Sequence, residues 1–381
     1  MLGWGRLNTD HNRRGIVALL RGRVEKRDYF ANRPWAIHCQ NTMVVMENGI
    51  ACAVPFSQKF RSRNQLQVCY DHNAKCPRFV EELLQPAVSP DDIALLQKMF
   101  GLIVLGVNRP QRIWILSGAP NTGKTTLGRL ITHLIGHWNY AELRTEHLSG
   151  RFETSRAFGK TLLFGPDVKS HFLESDGAYR LKSLVGGDPL NAERKCSNQD
   201  FPFFGDLNVL ITSNARLLVR LEGDVGAWLR RLVIIVYNGT PPTKRIDQFY
   251  KVLLQEEGPG ILNWAIEGLI AYEKDHTQIG DVILTPEQKA RVSGLLTESD
   301  GLRQFINEEI VASPAQDLSR EEIMAQYALY AKKRGWRPLK TSLAASQVRD
   351  VILELFGIPE INSVKRNDKS TRGYHGICLK S

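Results

Sequence analysis

The apolar positions of this chain change period along its length. From residue 112 onward, short continuous apolar runs alternate with stretches of helical spacing. The runs are Ile113-Trp114-Ile115-Leu116, Leu162-Leu163-Phe164, Val209-Leu210-Ile211 and Leu232-Val233-Ile234-Ile235-Val236. Unbroken runs of this length suit strands covered on both faces. They predict strands at 112–117, 160–165, 207–213 and 231–237, and their alternation with helices predicts a parallel sheet. Upstream, Ile93, Leu95, Leu96, Met99 and Phe100 form a helical stripe that leads into this region. A further helix is expected around 258–273. Thr285-Pro286-Glu287-Gln288 is a helix start, with an N-cap hydroxyl, Pro in the first turn and a capping-box Gln.

The two ends have other patterns. Near the N-terminus, Ile16, Leu19 and Leu20 share one face of a short basic helix. Residues 41–56 are expected as short strands around the turn Glu47-Asn48-Gly49. Pro86, Pro90 and the acids Asp91-Asp92 mark a boundary. In the tail, helices are expected at 300–311, 319–333 and 343–355. A basic loop at 365–369 and a terminal strand, Tyr374 to Leu379, follow. Three helices and a hairpin make a winged-helix pattern. The division is therefore 1–90, 91–280 and 281–381, in an α/β chain with a mixed N-terminal domain and a winged-helix-like C-terminal one.

The strand at 112–117 runs directly into Gly118-Ala119-Pro120-Asn121-Thr122-Gly123-Lys124-Thr125-Thr126. This is a complete G-x-x-x-x-G-K-T phosphate loop, and Leu127, Leu130, Ile131 and Leu134 continue it as a helix. Gly118 and Gly123 let backbone N–H groups wrap phosphates, and the helix N-terminus adds partial positive charge. The loop positions from Asn121 to Thr126 form the nucleotide cradle. Lys124 is placed for the β/γ-phosphates, and Thr125 for Mg²⁺. The competing reading, a glycine-rich turn with a surface lysine, leaves the strand and helix on either side as coincidence.

Composition adds three points. The chain has 381 residues with a net charge of +10, and the basic residues crowd toward both ends. Arg6, Arg13, Arg14, Arg21 and Arg23 lie in the first segment; Lys332, Lys333, Arg334, Lys365, Arg366 and Arg372 lie in the last. Basic ends suit contact with a phosphate backbone, although a solvated charged face explains any one cluster as well. Six cysteines occur without a C-x-x-C pair, which favours reduced thiols over a metal site. No apolar run spans a membrane, and the first residues lack a signal-peptide core. The expected location is the cytoplasm of a host cell, or the nucleus if the source is eukaryotic or viral.

Three later positions narrow the chemistry. Asp167 ends the apolar strand Leu162-Leu163-Phe164-Gly165, which in a parallel sheet puts its carboxylate at the carboxyl edge beside the phosphate loop. A carboxylate there can hold Mg²⁺ and polarise water. Asn214 ends the next strand and can orient water or donate to a phosphate; alone it is weak, since Asn is common after strands. Arg230-Arg231 stands just before the fourth strand. An arginine given to a neighbouring subunit's nucleotide neutralises transition-state charge, and a pair of surface arginines fits the sequence equally well. Between Asp167 and Asn214, the segment around Leu181-Lys182-Ser183-Leu184-Val185-Gly186-Gly187-Asp188-Pro189 and Glu193-Arg194-Lys195 reads as a β-hairpin with a basic tip. Such a tip can grip a phosphate backbone.

In their order, these motifs resemble superfamily 3 helicases, in particular the helicase half of phage, plasmid and poxvirus primase-helicases. The resemblance extends to residues 258–268, to Arg372-Gly373-Tyr374-His375-Gly376-Ile377, and to Cys76-Pro77-Arg78-Phe79 upstream. It implies an AAA+-type core that binds ATP and Mg²⁺, with Lys124 and Thr125 on phosphate and metal and Asp167 as the acid. It makes Asn214 the sensor, Arg231 the arginine finger, and Arg194 and Lys195, with Lys182 a weaker candidate, the contacts to DNA. It implies a homo-oligomer, a hexameric ring, acting on single-stranded and forked duplex DNA in replication, with a primase or polymerase as a further partner and no membrane. Pro166 stands where many relatives have a second acid, and the usual upstream primase module is missing. The chain is then a stand-alone helicase or the helicase portion of a longer protein. The alternative is a non-unwinding AAA+ ATPase: a helicase loader, a packaging motor or an ATP-controlled initiator.

Overall fold

The computed structural model describes residues 9–24, 29–30, 33–150, 152–170, 172–175, 177–193, 200–215, 217–219, 225–242, 246–299, 301–334, 341–366 and 369–380. A basic helix, α1 (Asp10–Val24), comes first, followed by a small antiparallel sheet of β1 (Ile37–His38), β2 (Met43–Glu47) and β3 (Ile50–Val54). Asn48 and Gly49 both take positive φ, the geometry that closes a two-residue hairpin with the right twist. A π-helical turn at Phe79–Leu84 leads to α2 (Pro90–Leu105).

The central layer is a five-stranded parallel sheet. In chain order its first members are β4 (Ile113–Gly118), α3 (Lys124–Ile135), β5 (Tyr140–Glu142) and β6 (Leu162–Gly165). Helix α4 (Gly177–Gly186) and the antiparallel hairpin of β7 (Pro189–Glu193) and β8 (Asp200–Phe204) follow. The layer is completed by β9 (Asn208–Ser213), α5 (Val225–Arg231) and β10 (Leu232–Tyr237). The strand order is β10-β4-β9-β6-β5. All four strands expected from the apolar runs are present within two residues of their expected ends.

Two helical layers cover this sheet, as the unbroken apolar runs require. On one face, Trp114, Leu116, Val233 and Ile235 pack with α2, α3, the N-terminal sheet and the long helix α6 (Phe249–Ile279). On the other, Ile113, Ile115, Val209 and Ile211 pack with α4, α5 and α7 (Pro286–Ser299). Helices α2 and α6 approach so closely that only glycine fits at the crossing. A Cβ on Gly268 would lie 1.8 Å from the Gln97 carbonyl oxygen, and one on Gly101 2.4 Å from the Leu269 nitrogen. The segment ahead of α2 is fastened to α6 by the buried carboxylate of Glu257, which accepts the backbone N–H groups of Arg78 at 3.0 Å and Phe79 at 2.8 Å. Rings of Phe79, Phe100 and Trp264 stack beside it, with centroids 5.1–5.8 Å apart.

Helix α6 is longer than its expected span of 258–273. Its first turns contain Gly258-Pro259-Gly260, a triplet that argues against helix in isolation. Packing overrides it: Gly260 lies against the backbone of Lys75. The stripe of α1 is a second difference. Ile16, Leu19 and Leu20 do lie on a helix, but they face solvent, with Leu19 74% exposed.

After α7 come α8 (Gly301–Glu309), β11 (Ile310–Ser319), α9 (Arg320–Lys333), α10 (Thr341–Phe356), β12 (Ile361–Arg366) and β13 (Lys369–Leu379). The three strands pair antiparallel in the order β11-β13-β12 around a core of Phe305, Tyr327, Val348, Ile352 and Tyr374. The three expected helices are there, and β11 is an additional strand. Its register breaks between Ala312 and Asp317, where Pro314 interrupts the run. The expected basic loop is partly strand: Arg366 ends β12 and pairs with Glu322, the capping-box acid of α9. No described helix is long and apolar enough to cross a membrane.

The acids Asp91-Asp92, read as a boundary, have a structural task. Asp92 is buried, and both its oxygens accept from Arg291 Nη1 at 2.7–2.8 Å. Gln288 Nε2 donates to it at 3.0 Å, so α2, α7 and the sheet edge share one carboxylate. Asp92→Ala should cost up to about 3–5 kcal/mol in a urea or guanidinium unfolding curve, because half-buried Arg291 would lose its buried partner and keep only the exposed Glu287 as an ion-pair partner. The Arg366 hydrogen bond, helped by the Ser319 donors, holds the Glu322 carboxyl down to about 2. That contribution is complete above the ordinary carboxylate pKa and is lost as pH falls toward 2. Glu322→Gln should therefore flatten the acid limb of the C-terminal unfolding transition; an unchanged acid limb would remove Glu322 from the account.

Candidate functional site

Parallel strands deliver their carboxyl ends to one edge of the sheet, and the sequence places polar residues at three adjacent ends. Gly118 closes β4 with φ 151°, and a Cβ there would sit 2.0 Å from the Tyr237 carbonyl oxygen of β10. The loop then turns through Asn121 and Gly123, both at positive φ, into the N-terminus of α3. Within the loop, Thr122 is buried and donates to the Ala119 carbonyl at 2.8 Å. Thr125 is exposed on the first turn of α3, and Thr126 is half-buried.

Lys124 is buried and folded back across its own loop. Its Nζ donates to the carbonyls of Gly118 at 2.9 Å and Ala119 at 2.5 Å, and to Thr122 Oγ1 at 3.3 Å. The Tyr237 ring lies 6.0 Å away. Burial lowers the Lys124 pKa, and the Asp167 carboxylate partly offsets it. The ammonium is thus held in a low-dielectric pocket by neutral carbonyls, with a charged partner nearby. Phosphate oxygens in the loop would be stronger acceptors than those carbonyls.

Asp167 follows β6 in left-handed backbone, φ 49°. Two groups of β9 fix it. Thr212 Oγ1 accepts the Asp167 N–H at 2.9 Å, and Asn214 Nδ2 donates to Asp167 Oδ1 at 2.8 Å. Ser213, fully buried, donates to the Val168 carbonyl at 2.9 Å. Both Asp167 and Asn214 are exposed at this edge. Because β9 lies between β4 and β6, the amide of Asn214 reaches the carboxylate. The structure therefore gathers Lys124, Thr125, Asp167 and Asn214. The cradle suits a nucleoside triphosphate with its divalent cation: open backbone, an exposed Thr hydroxyl and one carboxylate with a clamped rotamer. Thr212 and Ser213 were missed by the sequence reading. Their signal was the unusual polar tail on an otherwise apolar strand.

Arg231 is elsewhere. It ends α5, immediately before β10, and Leu232 pairs with Ile113 at the start of β4, whereas Tyr237 pairs with Gly118 at its end. About 17 Å of strand lies between them. Arg231 lines a cavity of about 500 Å³ with Arg180, Lys182, Asp188 and Arg230. Its Nη1 donates to the Ala227 carbonyl at 3.3 Å, and its buried Nε has no hydrogen-bond partner among the described residues. Lys182 belongs to α4 and not to the hairpin, and it lies over the rings of Tyr179 and Trp228. The hairpin itself is present as β7 and β8, paired from Pro189↔Phe204 to Glu193↔Asp200. Arg194 and Lys195 of its tip lie outside the described residues.

A family of unknown function, DUF5906, matches residues 116–231, the stretch from the phosphate loop to Arg231. No curated protein matches the chain. Among solved structures it is similar to the apo C-terminal region of NrS-1, residues 305–718, with a TM-score of 0.47 and 14% identity over 92% of this chain and 100% of that chain. An A-form apo structure of the same region gives 0.46 and 13%, over 90% and 95% of the two chains. Likeness at this level carries no argument about chemistry.

Asn214→Ala should release the Asp167 side chain while leaving Thr212 to hold its backbone. We expect Mg-ATP binding within a few-fold of the parent and a hydrolysis rate lower by roughly 10²-fold, the scale of a lost positioned polar group. Isothermal titration and a phosphate-release assay measure the two; equal losses in both would make Asn214 a binding group.

Proposed function

We propose that the chain is an ATP-driven DNA helicase or translocase of the superfamily 3 type, built on an AAA+-type core and working as a ring in the replication of a phage, plasmid or other mobile element. One observation carries this reading: Lys124, Thr125 and the clamped Asp167–Asn214 pair share the carboxyl edge, while Arg231 stands on the opposite edge.

In this proposal Lys124 exchanges its loop carbonyls for β/γ-phosphate oxygens, and Thr125 and Asp167 would hold Mg²⁺. When bound, the cation would supply charge neutralisation on the phosphates. Asp167, kept in one rotamer by Asn214, orients the attacking water. The water oxygen bonds to the γ-phosphorus, the bond to the bridging oxygen breaks, and the water proton passes to Asp167. Pro166 cannot share that work, so the carboxylate acts alone at this strand end. Arg231 is too far from its own loop to reach the same phosphate. It serves a neighbouring subunit, and that requirement makes the working unit an oligomer. The β7–β8 hairpin would carry Arg194 and Lys195 to DNA, and the C-terminal domain, a winged-helix arrangement of three helices and three strands, would make accessory contacts.

The test is strand displacement on a forked duplex with and without ATP. Lys124→Ala and Arg231→Ala should each abolish unwinding, with Arg231→Ala keeping ATP affinity and losing ~10³–10⁵-fold in hydrolysis. Mixing the two inactive proteins should restore part of the ATPase, because some interfaces then contain an intact Lys124 and an intact Arg231. No recovery under demonstrated subunit exchange removes the trans arrangement. ATP hydrolysis by the parent protein without strand separation would instead favour a loader or packaging motor.

A further inference from the structure

Away from the phosphate loop, the segments that precede β5 and β6 meet the loop between β3 and the π-turn. Trp138, just before β5, is 72% exposed. Its carbonyl accepts Lys160 Nζ at 2.8 Å, and the His137 ring stacks on it at 4.3 Å. Phe158, 37% exposed, lies beside the Arg63 guanidinium at 5.8 Å from ring centroid to carbon. Arg63 in turn covers the Phe30 ring at 4.6 Å, and Phe30 is 43% exposed. No described carboxylate pairs with Arg63 or Lys160.

The platform is braced from beneath. Asn64 Nδ2 donates to the Gly159 carbonyl at 3.2 Å and to Asn139 Oδ1 at 2.9 Å. Asn139 Nδ2 donates to the Gln65 and Ile135 carbonyls. Three chain segments are thereby held in one surface before any ligand arrives. Exposed rings carried on segments joined in this way are uncommon on a protein surface. A protein partner would have to place a separate carboxylate against each cation between the apolar groups that meet the rings. A flexible chain of flat bases joined by phosphates uses both, stacking on the rings and pairing with the cations.

We propose that this face binds single-stranded nucleic acid, with bases stacked on Trp138 and Phe158 and phosphates at Arg63 and Lys160. It rests on the helicase reading only for the choice of DNA as the strand. The site lies at the amino-terminal ends of β5 and β6, whereas the phosphate loop follows a carboxyl end, so nucleotide chemistry is not required for it.

The probe is a fluorescein-labelled oligothymidylate, titrated without ATP into the full chain carrying Arg194→Ala and Lys195→Ala, which silences the hairpin tip. Adding Trp138→Ala should raise Kd roughly 5- to 150-fold, the loss of one base stack, and Trp138→Phe should restore most of it. Arg63→Gln and Lys160→Gln should each lower the salt slope by about 0.7. Duplex affinity should not respond to Trp138→Ala. Lys124→Ala, which tests the ATPase reading, should bind the oligothymidylate like the parent. An unchanged Kd for Trp138→Ala overturns the proposal. So does a loss of self-association in that variant with oligonucleotide affinity intact, which would assign the face to a contact between subunits.

Discussion

A parallel sheet aligns the carboxyl ends of its strands, and the geometry of the candidate site depends on how three of those ends are ordered. Had β6 paired directly with β4, Asp167 would abut the phosphate loop without an intermediary. Instead β9 stands between them, and its polar end supplies both groups that fix the acid. The arrangement exchanges direct contact for control of a rotamer. It also lets one buried ammonium sense the carboxylate while neutral carbonyls carry its hydrogen bonds. Such a lysine is held without a competing ion pair, so a phosphate need displace only neutral acceptors.

The same directionality separates opposite needs. Groups that bind negative charge occur at both edges of the sheet, and each edge has one carboxylate among them. At the carboxyl edge, Asp167 accompanies Lys124; at the amino edge, Arg180, Lys182, Arg230 and Arg231 surround a cavity that contains Asp188 as its acid. A subunit with these two faces has a cradle at one and a cation cluster at the other. In the proposed ring, the two faces would complete each other between copies.

Legibility in the sequence followed the strength of the local signal. The four buried strands were readable because each is an unbroken apolar run, and the capping residues Thr285 and Gln288 bond to each other as their types require. The loop was readable because glycine is obligatory at Gly118, where Tyr237 leaves no room. What was missed depends on tertiary context. β11 contains Pro314 and a register break, so it lacks an alternating pattern. The first turns of α6 contain Gly258-Pro259-Gly260, favourable only because Lys75 packs against the glycine. Asp92 read as punctuation, since nothing local announces an arginine 199 residues later. The opposition of Lys124 and Arg231 is likewise a property of strand register, which no linear motif records.

The aromatic face illustrates the same limit from the other side. Its members come from positions 30, 63, 137–138 and 158–160, and no two of these segments are within 15 residues of each other in the chain. Each alone is an unremarkable loop aromatic or cation. What joins them is Asn139, whose amide holds the Gln65 carbonyl and whose carbonyl oxygens receive Asn64 and the Thr161 backbone. That asparagine ties the start of β5 to the start of β6 and to the N-terminal segment at once. The core sheet thus fixes the backbone that carries the surface rings through a single buried amide. The geometry of the face follows from the fold and not from the face itself. Pre-set rings lose little conformational freedom when a base stacks on them, which is the condition under which a small exposed platform can hold a flexible strand.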